Sequence, residues 1–110
     1  MFNRTAKSAQ RVFSVAGLGL MSVLPLSALA GGDAVHGQKL YQMHCAGCHG
    51  VAGVSTMPQA PDLARPETFT QSDEQLIEVI RDGRNMMPPF FGLLRGNDFA
   101  DVASYLRTLH

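Results

Sequence analysis

The chain has 110 residues, no tryptophan, and nine basic against nine acidic side chains, a formal net charge of zero. The balance is uneven, because Arg4, Lys7 and Arg11 all precede the first acid, Asp33, and residues 31–110 are left with six cations, nine anions and a net charge of −3. Eighty residues of this composition make one small domain, and their acidity speaks against nucleic acid and anionic membrane as partners, since both are bound through basic surface.

Residues 1–30 read as a secretory leader and 31–110 as the mature domain. A basic start, an apolar run from Val12 to Leu26 and the triplet Ala28-Leu29-Ala30 are the three parts of a signal peptide, with cleavage expected after Ala30. The run is nearly long enough to serve as an uncleaved anchor. Pro25 and the small residues at the cleavage position favour removal, with no stable membrane insertion afterwards.

Gly37, Leu40 and Tyr41 then share the i, i+3, i+4 spacing of one helical face, which predicts a helix over 33–43 with Asp33 as its N-cap. Gly37 inside that helix costs stability unless another backbone passes close by. The helix leads into Cys45-Ala46-Gly47-Cys48-His49, which holds both cysteines of the chain. C-x-x-C-H is the pattern of covalent c-type haem attachment. Two thiols at helical spacing add to the two vinyl groups of one haem, and the adjacent imidazole reaches the iron.

Other uses of these residues fit less well. A redox dithiol belongs near a βαβ pattern, and the flanking sequence has none. A structural zinc site needs about four ligands, and only three are placed for one. A Cys45–Cys48 disulfide would close too short a loop to stabilise much. One covalently attached haem c, with its iron, is therefore the expected cofactor. In so small a domain it supplies the staple that a hydrophobic core alone lacks.

Pro58, Pro61 and Pro66 make 50–69 an irregular loop with at most short helical turns. Ser72-Asp73-Glu74-Gln75 is a capping box that opens a helix over 73–82, with Leu76, Ile77, Val79 and Ile80 as its apolar face and Gly83 at C′. Pro88, Pro89, Gly92 and Gly96 break periodicity over 84–96. Phe99, Val102, Ala103, Leu106 and Leu109 recur at helical spacing, so a last helix begins near Asn97. The fold class is all-α: three main helices plus loops around one covalently bound haem.

A haem iron that shuttles electrons needs a sixth ligand beside the histidine, and methionine thioether favours the reduced iron. Met43 lies on the His49 side and Met57 in a loop without a fixed setting. Met87 heads Met87-Pro88-Pro89-Phe90, where consecutive prolines stiffen the backbone beside the sulfur. Met86 competes with it, because periodicity does not separate neighbours. Phe90 is expected to bury against the haem.

Over nearly the whole of 31–110 these motifs resemble a bacterial class I cytochrome c. Gly37-Gln38-Lys39-Leu40-Tyr41 ahead of the cysteine motif is similar to the family's N-terminal pattern, and Gly83-Arg84-Asn85-Met86-Met87-Pro88-Pro89-Phe90 to its distal one. The resemblance implies that the methionine directly before proline, Met87, is the second iron ligand opposite His49. It implies that the Pro61 carbonyl accepts a hydrogen bond from the His49 ring, that Leu63 packs on the haem, and that Gly37 and Tyr41 cross the last helix near Val102, Tyr105 and Leu106. Ala60 and Arg95 depart from the family, which often has Gly before the proline and commonly has Ser or Thr capping the last helix. His36, His44 and His110 are expected to be exposed or capping, and Arg84 and Arg95 to sit in solvent or to meet a haem propionate or a partner.

The function this implies is a periplasmic monohaem carrier, not an enzyme, passing single electrons between redox partner proteins as a monomer or in transient complexes. Its donor and acceptor are not named by the sequence. A dedicated subunit or accessory carrier of a respiratory or denitrification oxidoreductase is the second reading. A sensor or peroxidase-like protein with an open sixth position is the third, and Met87-Pro88-Pro89 speaks against it.

Overall fold

A computed structural model describes residues 31–110, so the leader expected at 1–30 lies outside the described residues. Four α-helices follow one another: α1 (Ala34–His44), α2 (Ala46–His49), α3 (Asp73–Asp82) and α4 (Asp98–Leu106), with a 3-10 turn at Pro66–Phe69. Among the described residues the only β feature is one isolated bridge, Arg84 to Met87. The three main helices are α1, α3 and α4, and α2 is the cysteine motif itself.

Asp33 caps α1, its carboxylate accepting from the backbone N–H groups of Val35 (2.9 Å) and His36 (3.1 Å). The His36 and Val35 bonds hold that carboxyl below the usual carboxylate range. The buried face of α1 is Gly37, Leu40 and Tyr41, and it lies across α4. Gly37 is required at the crossing: a Cβ there would overlap the Asp101 carbonyl and crowd the Val102 nitrogen. Tyr41 is fully buried, tilts against Tyr105 with ring centroids 5.2 Å apart, and donates its hydroxyl to the Gly50 carbonyl at 2.6 Å.

Asp101 ties the same crossing from the α4 side. Its buried carboxylate accepts from the Asp33 N–H at 2.7 Å and from His36 Nδ1 at 2.7 Å, while Asp98 lies 3.9 Å from that ring. His36 is exposed, as its sequence position implied, and it also fastens α1 to α4 through Asp101. His110 stacks on Phe69 (5.1 Å, 18° between planes), and His44 lies half-buried with its edge toward Phe90.

The capping box of α3 is present in both directions: Ser72 Oγ accepts from the Gln75 N–H and Gln75 Oε1 from the Ser72 N–H. At the start of α4, where the family commonly has Ser or Thr, the Asp98 carboxylate accepts the Arg95 N–H at 2.9 Å and the Asp98 N–H returns a bond to the Arg95 carbonyl. Leu109, read as part of the last helical stripe, lies beyond α4 but still packs against the core. Arg107, at the end of α4, donates to Asp73 and to the Phe69 and Gln71 carbonyls, locking the 3-10 turn and the start of α3 in place.

Replacing Gly37 by Ala forces α1 off α4, and a loss of about 3 kcal/mol is expected from the urea midpoint. The Asp101 hydrogen bond, followed by the charges of Asp101, Asp98 and Asp33, raises His36 above its ordinary value of 6.5. The stabilisation from this clasp is full below that value and fades as pH rises through the higher folded value. The stability gap between wild type and His36→Gln should therefore be wider at pH 6 than at pH 9 in paired denaturation curves.

Candidate functional site

Eight of the twelve buried apolar side chains border one cavity of about 450 Å³, so the core is a shell around a space rather than a filled interior. Leu63 comes from the loop after α2, Leu76 and Ile80 from α3, Phe90 from the loop after α3, and Val102 and Leu106 from α4. Cys45, Cys48 and His49 line the same cavity, delivered by α1 running straight into α2.

His49 is buried, and its Nδ1 lies 3.1 Å from the Pro61 carbonyl. With Nδ1–H donated there, Nε2 carries the free lone pair, the tautomer suited to a metal. The Pro61 loop is itself held: Leu63 N–H donates to the Gly53 carbonyl at 2.7 Å, Ser55 N–H to the Asp62 carboxylate at 2.9 Å, and Thr68 Oγ1 to the Asp62 carbonyl at 2.6 Å. Burial pushes the Cys45 thiol up to about 11.

Facing these groups is the loop after α3. Met87 is partly buried and packs against the core, whereas Met86, next to it on the cavity rim, is 75% exposed. Met57 also reaches the rim, and Met43, 67% exposed, does not border the cavity. Phe90 is buried, and its N–H donates to the Ile80 and Arg81 carbonyls at the end of α3. Arg84 borders the cavity; Arg95 does not. Two further lining residues carry no sequence signal that picks them out: Phe69, which lies under the Arg107 guanidinium at 5.5 Å, and Gln71.

The donor set suits a haem: two thiols three residues apart and one imidazole on one wall, with apolar side chains and thioethers on the others. A family model described as "Cytochrome C oxidase, cbb3-type, subunit III" matches residues 32–106. The chain belongs to this family and is a small class I c-type cytochrome. It carries one covalently bound haem c with iron.

Among relatives of this cytochrome, cytochrome c6 of Nostoc sp. is 30% identical, with 88% of this chain and 91% of the relative covered. Cytochrome c-551 of Bacillus subtilis is 41% identical over 66% of this chain and 61% of the relative. In structure it is similar to the c-type cytochrome KustC0563, at a TM-score of 0.62 and 35% identity over 66% of this chain and 95% of that one. It is also similar to cytochrome c6 of the diatom Phaeodactylum tricornutum, at a TM-score of 0.57 and 26% identity over 70% and 93%. These likenesses support monohaem electron transfer as the cytochrome's class of work. Among the described residues no helix is long and apolar enough to cross a membrane.

Because the shell closes on the haem and not on itself, the polypeptide without haem should be largely unfolded. Far-UV circular dichroism of the Cys45→Ala, Cys48→Ala double variant is expected to show most of the helical signal lost; full helicity would contradict this.

Proposed function

We propose that the protein is a periplasmic electron carrier in which Cys45 and Cys48 would hold the haem covalently and His49 and Met87 would be the iron's two protein ligands. The observation that carries this reading is the one cavity that brings Met87, from the loop after α3, together with the two thiols and the His49 imidazole of the cysteine motif. The haem supplies the one-electron couple of its iron. His49, oriented by the Pro61 carbonyl, presents Nε2 to the metal in one fixed direction. Met87 offers a soft thioether that favours the reduced iron and leaves no open position for a small molecule. Leu63 and Phe90, both buried on the cavity wall, would shield a haem held there from water.

No bond of a substrate is made or broken in this scheme, so the protein works as a carrier rather than an enzyme. Donor and acceptor are redox proteins met in brief contacts, which for electron transfer are small. The domain is 31–110, released from a leader at 1–30 into the periplasm.

A second reading has one observation in its favour: the description of the matching family model names an oxidase subunit. If the protein is a fixed subunit of such an enzyme, it should co-sediment with solubilised membranes at matched stoichiometry. A free carrier is expected in the periplasmic extract.

Met87→Ala should abolish the weak far-red methionine-to-iron band, lower the reduction potential and let the reduced protein bind carbon monoxide, whereas Met86→Ala should do none of these. Ready carbon monoxide binding by the unaltered reduced protein at neutral pH would remove Met87 as a ligand.

A further inference from the structure

Two methionines stand side by side at the cavity rim, and only one of them packs inward. The segment that carries them is closed on itself at one place and fastened to the end of α3 at another. On the near side, Arg84 and Met87 exchange both backbone hydrogen bonds, Arg84 N–H to the Met87 carbonyl at 3.0 Å and Met87 N–H to the Arg84 carbonyl at 2.9 Å. That makes Asn85 and Met86 the two-residue apex of a miniature hairpin. On the far side, Phe90 and Phe91 donate their N–H groups to the last carbonyls of α3.

Asn85 at the apex has φ +55°, the only positive φ outside glycine among the described residues. Asn tolerates the left-handed region better than almost any other residue with a side chain, and a β-branched residue is disfavoured there. Gly83, at φ +76°, lets the strap lie against the helix end: a Cβ would come within 2.6 Å of the Met87 carbonyl oxygen and 2.8 Å of the Pro89 nitrogen. Successive residues of an extended segment point to opposite sides. A hairpin closed at Met87 therefore leaves Met86 at the solvent-facing apex and turns Met87 inward.

We propose that Asn85 and Gly83 are positioning residues which, through this hairpin strap, select Met87 over Met86 as the iron's methionine ligand and hold it against displacement. The inference rests on methionine ligation as argued above. It assigns the choice to backbone geometry and not to the chemistry of the two identical side chains. A strap held at both ends loses little entropy when Met87 ligates, so an outside ligand must displace a preorganised group.

The test is imidazole titration of the ferric, haem-loaded protein, read at the Soret and far-red bands. Asn85→Val should raise the apparent imidazole affinity about tenfold, with Gly83→Ala giving the same direction and standing in should Asn85→Val fail to accumulate. Asn85→Gly, which keeps the left-handed apex, should stay within about twofold of wild type. Affinity unchanged in both Asn85→Val and Gly83→Ala, or raised as much in Asn85→Gly as in Asn85→Val, overturns the proposal. A far-red band that persists in Met87→Ala and vanishes only when Met86→Ala is added also overturns it, because Met86 would have swung in, while methionine ligation would stand. A band unaltered even in that double variant would instead remove methionine ligation itself.

Discussion

Where α1 crosses α4, no side chain separates the two backbones at Gly37, and that near-contact fixes the rest of the molecule. Helices kept apart by large side chains have room to slide and rotate; helices in backbone contact have almost none. α1 continues directly into the cysteine motif, so its pose on α4 sets where both thiols and the His49 ring stand. Asp101 reinforces the crossing by accepting from the Asp33 N–H and from His36 at the start of α1, with both oxygens of its carboxylate in use.

The remaining elements supply the other walls. α3 contributes Leu76 and Ile80, its end carries the loop with Met87 and Phe90, and the Pro61 loop orients His49. In most small domains these side chains would meet one another. Here they meet a cavity, and the missing aromatic bulk of the composition is made up by a flat apolar cofactor. A group that binds only the folded chain stabilises it, so the haem adds directly to the stability of this shell.

Features set by neighbours along the chain were legible in the sequence. The capping box at Ser72 and Gln75, the stop at Gly83 and the cap at Asp33 depend on groups within a turn or so of each other, and they delimit α3 and the start of α1. The C-x-x-C-H run announces its chemistry because both thiols and the imidazole lie within five residues. What was not legible depends on distance or on backbone angles. His36 looked idle because its partner, Asp101, lies 65 residues away. Arg107 gave no sign of bonding three groups between Phe69 and Asp73. The prolines after Met87 set it apart from Met86 in the sequence, but the turn with Asn85 at positive φ, beside which Met86 stands exposed, is invisible to periodicity.

The bond from the Asp33 N–H to the Asp101 carboxylate spans 68 residues, nearly the full length of the domain. Its span carries a timetable. The crossing that poses the cysteine motif cannot form until α4 is in place, and contacts of such wide separation form late and slowly. Until then Cys45, buried in the finished fold, lies open to solvent. The distance between the two helices in sequence thus leaves an interval in which the Cys45 thiol stays reachable, and the closing of α1 on α4 ends it.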